Sequence, residues 1–273
     1  MSFRFSILAS GSTGNALVVE NGEVRLLVDA GLSARKLTQL MEARDFACDR
    51  LDGVLITHEH ADHISGLGAL ARKYKLHVYA NDKTWLAMEK KVGKVDENQK
   101  QVFQTGETLD FGSLQVDSYE ISHDAAEPVG FSFKQGDHKV SLMTDMGYVS
   151  PNVKEKVADS DVLILECNHD VEMLRVGRYP WNVKRRILSD LGHLSNEAAA
   201  DALFELVTER TKRVYMAHLS QDHNMLDLAR LTVSNMLKEK IQETSTPLKN
   251  SNMRLMDTYY DRPTNWDEVD HDE

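Results

Sequence analysis

Three histidines and an aspartate fall within the six residues from His58 to His63, in the run Thr57-His58-Glu59-His60-Ala61-Asp62-His63. Imidazole and carboxylate are the donors that zinc, iron and manganese accept. An HxHxDH spacing in a tight turn lets His58 and His60 face one cavity. The same turn brings Asp62 and His63 round to a second cavity beside it. A polar surface loop with chance histidines is the bland alternative, but histidine is scarce here, 11 in 273 residues.

Two metal sites need more donors than these four. The remaining candidates share a placement, each following an apolar run that reads as a strand. His123 follows 114–121, Asp145 follows 140–144, His169 follows 161–166 and His218 follows 214–217. Strand ends on one edge of a sheet converge, so these side chains are expected to share a site with His58 to His63. His169 is expected to line that site. His77, His138, His223 and His271 have no comparable placement and are read as surface residues. Cys48 and Cys167 are read as reduced thiols, with Cys167 in the core.

The elements that must carry these residues are legible from apolar patterning. Strands are predicted over 3–9, 16–20 and 24–29, with Asn21-Gly22 as a hairpin turn between the last two. A helix over 33–44 follows, with Ser33 as its N-cap. A buried strand covers 53–57, then a helix 65–73 and a strand 76–80. Strands recur at 114–121, 129–134, 139–144 and 161–166. A helix over 196–207, a strand over 213–217 and a helix over 225–242 complete the pattern. Strands in both halves with interspersed helices predict two sheets flanked by helices, an α/β sandwich. The Gly-rich stretch Ser10 to Asn15 reads as a tight hairpin between the first two strands; without a lysine it is not a P-loop.

Composition excludes several classes. Hydrophobic residues are 41% and charged residues 27%, which excludes wholesale disorder, a collagen-like chain and a disulfide scaffold. No apolar run approaches the roughly 18 residues of a membrane-spanning helix. No signal-peptide pattern opens the chain, so the expected location is the cytoplasm, without membrane insertion. The net charge is −11, which disfavours polyanion binding over the whole surface but leaves room for a local patch. Such a patch lies between Arg175 and Arg186, where Arg178, Lys184, Arg185 and Arg186 accompany Tyr179 and Trp181. A charge run is ordinarily a solvated helix face; arginine forks beside aromatic rings also suit a nucleic-acid strand. One domain is expected over 1–260, with 261–273 as a flexible acidic tail.

The segments THEHADH, ISHDA, MTDMG and MAHLS, in this order and spacing, resemble the metallo-β-lactamase superfamily over about 3–260. That resemblance implies an αββα sandwich with a dinuclear metal centre on its open edge. It implies His58, His60 and His123 as ligands of one ion. Asp62, His63 and His218 would hold the other, with Asp145 bridging. Two Zn²⁺ or Mn²⁺ ions, or Fe²⁺, suit these donors. The stretches SILASGSTGNALVV, SHDAAEPVGF, LILECNHD and GRYPWNVKRRILSDLGHLSNEAA further resemble the YycJ (WalJ) subfamily of bacterial phosphodiesterases. Its members have a proposed 5′-to-3′ exonuclease activity on DNA. The implied reaction is attack of a metal-bridging hydroxide on a phosphodiester, with Asp62 accepting a hydrogen bond from it. Glu166 and His193 resemble a glutamate–histidine pair beside the metals of ribonuclease Z. They are assigned proton transfer at the leaving oxygen, with Glu166 orienting His193. His169, Arg178, Lys184, Arg185 and Arg186 are assigned to the substrate, with DNA favoured over RNA. The alternatives are a small-molecule ester, thioester or lactone hydrolase on the same fold, or a metal-stabilised regulatory protein of cell-wall signalling.

Overall fold

Strand β2 (Ala16–Glu20) shows no polar alternation because both of its faces are covered. Leu17 and Val19 join one core, and Ala16 and Val18 join another. This is the period-two geometry of a strand buried on both sides. The computed structural model describes residues 2–269. Within them, two seven-stranded sheets stack face to face.

In the first sheet, β1 (Arg4–Ala9), β2, β3 (Arg25–Val28), β4 (Gly53–Leu55), β5 (His77–Asn81) and β6 (Lys100–Phe103) lie in sequence order. The second begins with β7 (Thr108–Phe111), β8 (Leu114–Glu120), β9 (Val129–Gln135) and β10 (His138–Met143). It continues through β11 (Val162–Glu166) and β12 (Arg213–Ala217) to β13 (Arg254–Asp257). A final strand, β14 (Asp267–Glu268), returns to pair antiparallel with β1.

Three cores hold the layers together. Phe5, Ile7 and Val19 of the first sheet meet Phe131, Phe133 and Ile164 of the second between the sheets. Outside the first sheet, α1 (Ala34–Glu42), α2 (Ala61–Ile64), α3 (Leu67–Tyr74) and α4 (Asp82–Val92) contribute Leu37, Ile64, Leu70 and Met88. Outside the second sheet the helices are α5 (Pro151–Val157), α6 (Val171–Val176), α7 (Trp181–Ile187), α8 (Asn196–Leu206) and α9 (Leu226–Thr244). Val153, Leu203 and Val233 from α5, α8 and α9 cover that face. Each fully buried Leu, Ile or Phe contributes roughly 1.5–3 kcal/mol. The architecture is therefore αββα.

The predicted strands over 3–9, 16–20, 114–121 and 161–166 recur within a residue or two. The Asn21 side chain accepts from the Glu23 and Val24 N–H groups, and Gly22 has φ 85°, which closes the hairpin. Ser33 caps α1 through Lys36 N. The helix expected over 65–73 recurs as α3, and a further short helix, α2, precedes it across Gly66. A Cβ there would lie 2.1 Å from the Leu32 carbonyl oxygen, so the close approach of two backbones requires glycine. Strands β6 and β7 carry no sustained apolar run, because their side chains are mostly half-exposed.

The segment expected as a flexible tail is packed through residue 269. Val269 is buried in the inter-sheet core and Asp267 accepts from the Tyr215 hydroxyl at 2.5 Å. Acidic composition concealed one apolar residue and one strand whose burial depends on partners more than 200 residues away. His271 lies outside the described residues.

Candidate metal centre

The candidate donors gather at the strand ends of one edge, with Asp62 and His63 on the short helix α2 that follows β4. Strands β3, β4 and β5 are parallel, as are β10, β11 and β12. Strand β8 is antiparallel to β9, and β9 to β10, so β8 ends on the same edge as β10. The chain leaves three of these strands through left-handed residues: Asp29 at φ 58°, Asp145 at φ 60° and His218 at φ 55°. Each such turn costs roughly 1–2 kcal/mol for a non-glycine residue. The turns throw the side chain across the edge instead of along the strand.

His58, His60 and His123 form one group of converging nitrogens, and Asp62, His63, Asp145 and His218 form a second. In the first, His60 Nδ1 is 3.2 Å from His123 Nε2, and the His58 ring is 4.6 Å from that of His60. In the second, His218 Nε2 is 3.4 Å from Asp62 Oδ2 and 3.5 Å from Asp145 Oδ1. Asp145 lies between the groups. Its Oδ2 is 3.4 Å from His63 Nε2 and its Oδ1 is 3.9 Å from His123 Nε2.

The outer nitrogens are held by oxygens, which orients the inner ones. His218 Nδ1 is 2.8 Å from Glu166 Oε1, and His63 Nδ1 is 2.7 Å from Asp29 Oδ2. His123 Nδ1 faces the Gly192 carbonyl at 3.2 Å, and His58 Nδ1 faces Thr57 Oγ1 at 3.0 Å. Because the Thr57 hydroxyl donates to Asp29 Oδ2, its oxygen is an acceptor for His58. Four imidazoles thus carry their proton on Nδ1 and turn Nε2 inward, as metal-ligating histidines do.

Glu166 is fully buried and serves two histidines. Its Oε1 also accepts from His193 Nδ1 at 2.8 Å, and its Oε2 accepts from Met146 N and Leu194 N. Burial pushes the Glu166 carboxyl up, but His193 and His218 overcome this and hold it at about 2. Burial lowers His58 and His123 toward the neutral, ligating form. Burial also opposes charge on His218, yet Asp145, Asp62 and Glu166 raise it to about 10.

These residues fit divalent cations. His58 Nε2 and Asp145 Oδ2 are buried polar atoms without a hydrogen-bond partner, and both belong to the converging donor groups. An unpaired buried polar atom costs about 1–3 kcal/mol, which coordination removes. Imidazoles with carboxylates are the donor set of zinc and its first-row neighbours.

A beta-lactamase superfamily domain matches residues 24–219. The chain belongs to the metallo-beta-lactamase superfamily. Within it, the chain is 52% identical over 240 residues to "Exodeoxyribonuclease YycJ" of Bacillus anthracis, covering 88% of this chain and 91% of that protein. It is 48% identical over 241 residues to "Exodeoxyribonuclease WalJ" of Streptococcus pneumoniae, covering 88% and 90%. The crystal structure of the metallo-beta-lactamase fold protein YhfI from Bacillus subtilis shares the fold. Its TM-score is 0.71 at 17% identity, over 97% of this chain and all of that one. The subfamily resemblance carried by the LILECNHD and GRYPWNVKRRILSDLGHLSNEAA stretches accords with these relatives, and the chain is a metal-dependent hydrolase of this superfamily.

The superfamily chain departs from its sequence reading at several positions. Lys184, expected on the substrate, is only 8% exposed, and its Nζ donates to the Arg175 and Gly177 carbonyls. It ties α6 to α7. His169, also expected on the substrate, is 1% exposed, and it offers no surface to a strand. His223, read as a surface residue, is buried against the Tyr179 ring at 4.3 Å. Gly177 makes room for it, since a Cβ there would lie 2.3 Å from His223 Nε2. Arg178 is exposed and paired with Asp222, Arg186 is paired with Asp124, and Arg185 is exposed. No helix of the described residues is long and apolar enough to cross a membrane.

Sequence reading missed Asp29, Thr57 and Asn15. Asn15 Nδ2 lies 3.2 Å from His63 Nε2 and 3.4 Å from Asp62 Oδ2. Asp29 had a usable signal: an acidic residue closing the run Leu26-Leu27-Val28, the pattern that singled out Asp145. Asn15 had none, because its role depends on a loop folding across to Asp62.

Proposed function

We propose that this chain is a phosphodiesterase that shortens DNA from its 5′ end, using two divalent cations, Zn²⁺ or Mn²⁺, with Fe²⁺ also suited to the donors. The observation that carries this reading is an intact donor cluster in a chain 52% identical to a protein named an exodeoxyribonuclease. His58, His60 and His123 would hold one ion, and Asp62, His63 and His218 the other. Asp145, lying between the two groups, would touch both. Bound there, the ions supply Lewis acidity, charge to offset a phosphoryl oxygen and a lowered pKa for water.

The chain's own side chains supply orientation and proton transfer. Asp62 is 24% exposed at its side chain, enough to accept a hydrogen bond from the attacking water. His193 is 15% exposed, with Nδ1 committed to Glu166. Its Nε2 is then free to donate to the leaving oxygen as the P–O ester bond breaks. Glu166 fixes the rings of His193 and His218 together, so the acid and the second metal site share one anchor. Arg178, Arg185 and Arg186 stand near the rim to hold phosphates. Lys184 is left out of that role, since its charge is spent on carbonyl oxygens.

The test is end-labelled single- and double-stranded DNA and RNA, incubated with Mn²⁺ or Zn²⁺ and with wild type or Asp145→Ala. Metal-dependent release of the 5′-labelled nucleotide from DNA, absent in the variant, is the expected result. Cleavage of RNA alone, or of no strand while two metals are bound, would overturn the reading.

A further inference from the structure

A second basic feature lies away from the donor cluster. Between the edge strands β13 and β14 is an open cavity of about 1010 Å³. Its cations are all arginines: Arg44, Arg213, Arg230, Arg254 and Arg262. Three carboxylates, Asp257, Asp267 and Glu268, line it as well, so arginine is in excess. The rings of Tyr215, Tyr259 and Trp266 complete the walls. In a chain of net charge −11, five arginines on one cavity stand out.

Part of this charge is uncommitted. Arg230 pairs with Asp257, and Arg213 with Asp267. Arg44 donates to the carbonyls of Thr264 and Pro263, which leaves its charge without a carboxylate among the described residues. Arg262 stacks on Tyr259, with its guanidinium carbon 3.9 Å from the ring centroid, and makes no ion pair among the described residues. Arg213 is buried, yet its Nε has no hydrogen-bond partner.

The cavity wall is tied to the metal edge through Ser10. The Tyr259 carbonyl accepts from Ser10 N at 2.9 Å. Ser10 Oγ in turn accepts from His218 N at 2.7 Å. One residue therefore joins the aromatic end of the cavity to a residue of the donor cluster.

We propose that the arginine-lined cavity between β13 and β14 is a groove for a phosphodiester strand, holding nucleotides beyond the one at the metal centre. Arginine forks match phosphate oxygens in pairs and shed water more readily than lysine. Aromatic rings beside them suit stacked bases. This inference rests on the nuclease reading for its ligand, though not for its geometry.

 The Arg178–Arg186 rim and this groove are separate stretches of chain, so each can be altered without touching the other.

The test uses the full chain with Mn²⁺ and a single-stranded DNA oligonucleotide whose phosphorothioate linkages resist cleavage. Binding is measured across a salt series for wild type, Arg262→Glu and Arg262→Lys. Hydrolysis of bis(p-nitrophenyl) phosphate, which is too small to reach the groove, monitors the metal centre. Arg262→Glu is expected to bind the oligonucleotide roughly tenfold more weakly, with the slope of log K against log salt reduced by about 0.7 per lost phosphate contact. Arg262→Lys should recover much of the slope, and turnover of the small diester should be unchanged in both. Wild-type affinity and slope in Arg262→Glu would overturn the groove while leaving the nuclease reading intact. Full competition by a mononucleotide would overturn it in favour of a nucleotide pocket. No oligonucleotide binding by wild type, with the small diester still hydrolysed, would overturn the nuclease reading itself.

Discussion

Glu166 and Asp29 do more for the centre than their positions in the sequence suggest. Each is a carboxylate one step behind the donors, and each fixes a ring by its Nδ1. Removing such a partner typically costs 10–100-fold in metal affinity. Asp29→Ala is therefore expected to weaken metal binding by that range, measured by competition with a chromophoric chelator. Unchanged affinity would show that His63 holds its orientation without Asp29. His193 makes a contrasting case, because it is not among the seven proposed ligands. His193→Ala is expected to lower kcat by about 10²–10⁴-fold, the range for a general acid, with metal content unchanged by elemental analysis. Loss of metal together with rate would reassign it as a ligand.

At the level of elements, the centre depends on backbone packing around the turn before α2. The Asn15 N–H donates to the Asp62 carbonyl at 2.8 Å, and the Gly31 N–H donates to the Asn15 carbonyl. A Cβ on Gly31 would lie 1.6 Å from the Asp62 carbonyl oxygen. No side-chain rotation relieves a clash with backbone, so the turn must move. Gly31→Ala is expected to destabilise the fold by about 1–3 kcal/mol or more, as overpacking does, and to weaken metal binding through Asp62 and His63. Denaturant midpoints and metal titration read the two effects separately. A midpoint equal to that of wild type would mean that the loop yields without cost. Gly31 carried no motif of its own, since its constraint comes from a chain segment thirty residues on.

For the whole molecule, the question is whether metal holds the fold or only the site. The three apolar cores lie between the sheets and beneath the helices, and they form without any donor residue. Chelation should therefore lower Tm without unfolding the chain. A ligand at 100 times its Kd stabilises by about 2.7 kcal/mol per site, and the loss on chelation should be of that order for each ion. Complete unfolding on chelation, followed by circular dichroism, would instead make the metals part of the scaffold.

Sequence alone determined the strands and the local donor motif. Apolar runs such as Val162-Leu163-Ile164-Leu165 identify buried strands because both faces must leave water, and His58 to His63 sit close enough in the chain to be read together. It also pointed to the strand ends, where His123, Asp145 and His218 lie. Tertiary structure decided what shares an environment. Lys184 and His169 were expected to meet the substrate until packing enclosed them, since burial of a polar side chain depends on which carbonyls or helices fold over it. Asp29 and Asn15 acquired their roles from partners 34 and 48 residues away. The acidic segment after Asp261 became an edge strand because β1 offered free backbone groups and the inter-sheet core had room for Val269. Local patterning records which residues avoid water or bind cations; only the folded chain fixes the distances through which they act.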